Sequence, residues 1–211
     1  MKMKHLIPML ALLVTGCGQP SFEGEKLFSE TRSFFEKHPE QFSPSEAMET
    51  LEHSRRDGDK AWQIAAGLHA CYMYRSEEMS QREADRVRLL SIAWFQYAAE
   101  LGSPYARVDM CFPESLYWAE DPPTPEQRNE LADKAFKTLM EREPKSPTDM
   151  QYLAACYLQG IGVAPNPDMA CTWFERFVHQ VPASEKSRRD MLDAYRRNVE
   201  EAKAAAARRE N

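Results

Sequence analysis

The stretch Leu153-Ala154-Ala155-Cys156-Tyr157-Leu158-Gln159-Gly160-Ile161-Gly162-Val163-Ala164-Pro165-Asn166-Pro167-Asp168-Met169-Ala170-Cys171-Thr172-Trp173-Phe174 decides how this chain is read. Its apolar residues recur at helical rather than alternating spacing. The glycines at 160 and 162 break that pattern as a turn, and Asn166-Pro167 restarts it. Asparagine is a good N-cap, and proline at the first helical position loses only an N–H that has no intrahelical partner. The stretch therefore predicts a helix, a glycine turn and a second helix.

The same arrangement recurs upstream. Ala170-x-x-Trp173-Phe174 returns as Ser91-x-x-Trp94-Phe95 and, degraded, as Ala132-x-x-Ala135-Phe136. The three phenylalanines are 41 and 38 residues apart. Leu68-His69-Ala70-Cys71-Tyr72 parallels Leu153-Ala154-Ala155-Cys156-Tyr157 in the preceding helix. A period of about forty residues falls in the range of stacked helical repeats. From cap to tryptophan is 7 residues in Asn166–Trp173 and 14 in Ser80–Trp94. Seven extra residues are close to two turns, so the same face stays buried.

Helix starts are also marked at Ser43-Pro44, Thr124-Pro125 and Ser146-Pro147. Ser43 with Glu46, Ser80 with Glu83 and Thr124 with Gln127 have capping-box spacing. Helices are predicted over 22–37, 44–56, 59–74, 80–101, 103–112, 124–142, 147–159, 167–180 and 184–208. Pro113 ends one of them, and 111–123 reads as an irregular insertion. The class is all-α.

The best unit resembles the Sel-one-like repeat, a branch of the tetratricopeptide superfamily. Leu153, Ala154 in the family's glycine position, Tyr157, Gly160, Gly162, Ala170 and Trp173 keep the repeat's spacing, and Phe174 follows. Trp94 and Phe95, then Ala98-Ala99-Glu100-Leu101-Gly102, match the family's exit from one unit into the next. The resemblance implies a right-handed α-solenoid over 22–208. Its best units are 59–102, 103–142 and 147–180, with a capping helix at 184–208. Successive units would bury each other's apolar stripes.

At the N-terminus, Lys2 and Lys4 precede a nine-residue apolar run over 6–14, then Thr15-Gly16-Cys17. A basic start, a short apolar run and small residues describe a secretory signal peptide. The run is far short of the roughly 20 residues that span a bilayer. Leu13-Val14-Thr15-Gly16-Cys17 resembles the lipobox of bacterial lipoproteins, with Val14 where the family usually has leucine. That resemblance implies removal of 1–16, diacylglyceryl and fatty-acyl (palmitate) modification of Cys17, and a short anchor linker over 17–21. Gly18 rather than Asp after the cysteine implies outer-membrane rather than inner-membrane sorting, facing the periplasm.

The 195 residues after Gly16 carry 33 acidic and 25 basic side chains. That balance argues against nucleic acid or an anionic membrane surface as the main partner. Four cysteines remain after Cys17: Cys71, Cys111, Cys156 and Cys171. In an oxidising compartment an even number suggests disulfides, with three connectivities open. Cys156–Cys171 within one unit and Cys71–Cys111 between units is the expected pairing. The alternative is a redox-active thiol, which needs a lowered pKa. No metal site is expected, because no CxxC pair occurs and no histidine stands at ligand spacing.

No catalytic constellation emerges. His38, His53, His69 and His179 are scattered, and Gly-x-Ser-x-Gly, HExxH, Walker A and Ser-x-x-Lys motifs are all missing. Gly160-Ile161-Gly162 follows a helix rather than a strand, which fits a repeat turn and not a phosphate loop. Some relatives of the repeat family are β-lactamase-like or penicillin-binding, and the missing Ser-x-x-Lys weighs against that chemistry here. The expectation is a monomeric, lipid-anchored, non-catalytic adaptor without cofactor that binds another protein at the cell envelope. An immunity-type inhibitor of a toxic enzyme is the alternative, and a cell-wall enzyme is the disfavoured third.

Overall fold

A computed structural model describes residues 22–39, 42, 44–112 and 124–209. Cys17, the segments 1–16 and 17–21, the Ser43 cap and the insertion beyond Phe112 lie outside the described residues. Among those described, all regular structure is helical. Nine α-helices follow one another: α1 Phe22–Lys37, α2 Pro44–His53, α3 Gly58–Arg75, α4 Gln81–Glu100, α5 Pro104–Cys111, α6 Pro125–Glu141, α7 Pro147–Gln159, α8 Pro167–Gln180 and α9 Glu185–Arg209. A single 3-10 turn, Ser76–Glu78, separates α3 from α4.

The helix ends follow from local chemistry. The Thr124 hydroxyl accepts from Gln127 N while the Gln127 side chain accepts from Thr124 N, closing the expected capping box. Ser146 forms a second box with Asp149, and the Asn166 side chain caps α8 through Met169 N. The Ser80–Glu83 box does not form. The Ser80 hydroxyl donates to the Glu83 carboxylate at 3.4 Å, and that carboxylate also lies 3.2 Å from His38 Nε2, across the gap to the end of α1. Helix α2 stops at His53, short of residue 56, and the Asp57 carboxylate restarts the chain by accepting from Asp59 N and Lys60 N.

Neighbours in sequence are neighbours in space. Helix α3 packs along α4, α5 along α6 and α7 along α8, while α9 lies on α8. Helix α2 contacts α3 and α1 contacts α4, so the first two helices sit beside the α3–α4 pair. The first helices of successive pairs also meet, α3 with α5 and α5 with α7.

Two apolar cores result. The first gathers Phe28, Phe34, Leu51, Leu68, Val87 and Trp94; the second gathers Val108, Leu139, Leu153, Ala154, Ala135 and Trp173. Trp94 is wholly buried, and its indole N–H donates to the Thr31 hydroxyl at 2.8 Å, tying α4 to α1. Losing a buried aromatic of this kind costs about 3–5 kcal/mol. Trp62, half-buried on α3, packs against both cores.

Gly160 caps α7 in the left-handed region at φ +74°. Gly162, at φ +67°, lies against α6 so closely that a Cβ would run into the Ala132 carbonyl. Both turn glycines are thus fixed by conformation and by packing, Gly160 against the Pro165 ring and Gly162 against the α6 backbone.

Candidate functional site

Most residues marked in the sequence serve the interior. Leu153, Ala154, Ala170, Trp173, Trp94 and Phe95 are buried. Tyr157 meets Phe136 edge-on at 5.4 Å, and Phe174 stacks flat on Tyr195 of α9 at 3.8 Å. Gly102 takes φ +96° in the turn between α4 and α5. None of these presents chemistry to solvent.

The cysteines differ from the expectation. Cys71, Cys111, Cys156 and Cys171 are present as thiols, with no disulfide joining them. Cys71 belongs to the first core while Cys111 packs on the second. Cys156 is fully buried, whereas Cys171 is half-buried among groups of α9 that include Lys203 and Arg196. Burial pushes the Cys111 thiol up to about 11 and that of Cys156 to about 12, and it raises Cys171 as well. Shifts in that direction keep sulfur protonated, the opposite of what a redox-active thiol requires.

A different set of residues comes together on the face shared by α3, α5 and α7. Trp62 of α3, Tyr105 of α5 and Tyr152 of α7 form an aromatic ladder. Ring centroids lie 4.9 Å apart for Trp62–Tyr105, 4.9 Å for Tyr105–Tyr152 and 5.8 Å for Trp62–Tyr152. Each helix contributes one ring, and each ring touches the other two.

Both ends of the ladder carry carboxylates. At the Tyr105 end, the tyrosine hydroxyl donates to Asp149 Oδ1 at 2.8 Å. Arg142 lies over the Tyr105 ring, 5.1 Å from its centroid. Its guanidinium donates to the Tyr105 hydroxyl at 2.9 Å and reaches Asp149 at 3.2 Å and Asp59 at 2.8 Å. The Ser103 hydroxyl donates to the other oxygen of Asp59 at 3.0 Å. This end is closed: two carboxylates share one forked cation. Burial raises Tyr105 to about 12. Burial also works to raise Asp149, but the bonds from Ser146 and Tyr105 and the charge of Arg142 hold it below the usual carboxylate range.

At the other end stands Asp109, one turn beyond Tyr105 on α5. Trp62 Nε1 donates to its Oδ2 at 2.8 Å, and the Tyr152 hydroxyl sits 3.0 and 2.9 Å from its two oxygens. Burial pushes this carboxyl up to about 6, while the two donors pull the other way. No ion pair reaches Asp109 among the described residues. A carboxylate in low-dielectric surroundings without a counter-charge is expensive, and its raised pKa reflects that.

Known families, characterised proteins and solved structures offer no match to this chain. The site therefore stands on its own geometry. Among the described residues, no three His, Cys, Asp or Glu side chains gather as a metal-ligand set, and no helix is long and apolar enough to cross a membrane. Sequence reasoning missed Asp109, Trp62 and Tyr152 as a group. They are separated by 47 and 43 residues, and no local motif links them. Only tertiary packing unites them, as α3 meets α5 and α5 meets α7.

Proposed function

We propose that this chain is a lipid-anchored protein of the cell envelope whose helical body binds another protein and performs no chemistry of its own. In this reading the body is a right-handed solenoid of Sel-one-like units ending in α9 as a cap, and Cys17 carries the lipid. The observation that carries it is the ladder of Trp62, Tyr105 and Tyr152. It brings together the half-buried rings of Trp62 and Tyr152 and a carboxylate that no cation reaches among the described residues, from α3, α5 and α7. Aromatic residues of this kind are enriched where proteins grip one another. The pairwise packing of α3–α4, α5–α6 and α7–α8 supports the repeat architecture, and repeat arrays offer extended binding surfaces.

The lipobox-like run ending at Cys17 supplies the address. One acyl chain gives only marginal attachment, and a diacylglyceryl group meets the need for two. Replacing Cys17 with Ser is expected to abolish incorporation of a labelled palmitate analogue and to leave the chain in the soluble fraction. A chain that stays membrane-bound after that change would refute the anchor. For the binding face, in-cell cross-linking should yield one stoichiometric partner, and Trp62→Ala with Tyr152→Ala should abolish it while helicity is kept. A cross-linked partner unaffected by both changes would move the interface elsewhere.

A further inference from the structure

The two ends of the aromatic ladder are built from the same parts, with one part missing from the second. At Tyr105 a carboxylate pair, a ring and a guanidinium complete one another, with Arg142 over the ring and 3.2 Å from Asp149. At Asp109 the carboxylate and the rings of Trp62 and Tyr152 are in place, and no cation reaches the carboxylate among the described residues. The adjoining stretch 113–123 contains no Lys, Arg or His, so the chain does not supply one from there. A carboxylate has about four acceptor positions, and the described donors to Asp109 are one indole N–H and one shared hydroxyl. Asp109, Trp62 and Tyr152 each retain some exposed surface.

We infer that the corner formed by Asp109, Trp62 and Tyr152 is a receptor for a cationic side chain, lysine or arginine, presented by the partner protein. This rests on the reading of the chain as a protein-binding module and specifies the chemistry of that module's contact. A guanidinium or ammonium there gains a charge-assisted bond to a carboxylate that has no counter-ion among the described residues. The raised pKa of Asp109 agrees with the geometry, because bringing a cation beside the group offsets the cost of its burial.

The test uses the full chain in detergent micelles with three probes: N-acetyl-arginine methylamide, N-acetyl-lysine methylamide and the neutral N-acetyl-glutamine methylamide. The carboxyl carbon of Asp109 is followed by NMR through a pH titration. Saturating arginine or lysine probe is expected to lower the Asp109 midpoint by about one pH unit or more, as an adjacent opposite charge does. The glutamine probe should leave it in place. Asp109→Asn should weaken binding of the charged probes about tenfold, the equivalent of about 1.4 kcal/mol. Tyr152→Phe keeps the ring and removes a competing donor, so it should bind them more tightly, a gain that misfolding cannot mimic. Equal midpoints with charged and neutral probes, or equal binding by the parent and Asp109→Asn, would overturn the inference. Such a result leaves the partner reading intact, because that reading stands or falls on cross-linking.

Discussion

Asp109 is where the energetics of a single residue are most exposed to test. Its carboxyl is pushed up to about 6 in the fold, against about 3.9 in an unfolded chain, with burial as the main cause. Because the folded value is raised, the ionised form weakens the fold above about pH 6, and that penalty disappears as pH falls toward 4. A rise of that size corresponds to a penalty on the order of 2–3 kcal/mol. Asp149 works the other way: its lowered value adds stability above the ordinary carboxylate range, and this is lost at still lower pH. Asp109→Asn should therefore match or exceed the parent in urea midpoint at about pH 7.5. Its advantage should shrink steadily toward about pH 4.5, where the parent's carboxyl is protonated. A difference that stays constant between those pH values would show that Asp109 is hydrated in the fold. Trp62→Phe adds a check on the cause, since removing the indole donor should move the Asp109 midpoint further up.

At the scale of helices and turns, two glycines make opposite predictions. Gly162 takes φ +67°, and a Cβ there would strike the Ala132 carbonyl of α6. Alanine at 162 is expected to cost about 2–4 kcal/mol, combining backbone strain with overpacking. Gly67 lies inside α3, where a Cβ would meet only Phe42 Cε1 at 3.7 Å. Alanine there is expected to stabilise by about 0.5–1 kcal/mol, the usual penalty of glycine in a helix interior. Thermal unfolding of the two variants decides both, and the reverse ranking would contradict the local geometry. The glycine turn was legible in the sequence because Gly160 and Gly162 interrupt an otherwise helical pattern. The helix starts at Thr124, Ser146 and Asn166 were legible for the same local reason, since a cap acts within three residues. Ser80 shows the limit of such reading. Its partner Glu83 has the right spacing, but the Ser80 hydroxyl donates to the Glu83 carboxylate rather than accepting a backbone N–H, and His38, just past the end of α1, lies 3.2 Å from that carboxylate. The cysteines stand as thiols in the fold, and Cys71 and Cys111 belong to different cores, which no local spacing reveals. Asp109 carried no local signal at all: an aspartate in a short helix reads as solvated until Trp62 and Tyr152 arrive from other pairs.

Across the whole molecule, the two cores meet where Trp62 packs on both, and Arg142 forms a polar tie beside it. Arg142 joins Asp59 at the start of α3 to Tyr105 of α5 and Asp149 of α7, so it bridges the first core's helices to those of the second. Where two cores are joined by few contacts, weakening one of them can split the unfolding transition. Arg142→Ala also leaves Asp149, only 2% exposed, without its cation. Breaking a buried pair from one side is worth about 3–5 kcal/mol. Asp59 loses less, because it is more exposed and keeps the Ser103 hydroxyl. The loss should therefore be uneven. Hydrogen exchange read by mass spectrometry should show α5–α8 losing protection strongly in Arg142→Ala while α1, α2 and α4 keep most of theirs. Arg142→Lys restores charge without the flat fork that lies over Tyr105 and serves two carboxylates, so it should recover only part of the protection. If exchange instead rises equally from α1 through α9, the described body unfolds as one unit, and the Asp59–Arg142 contact is not the joint between its halves.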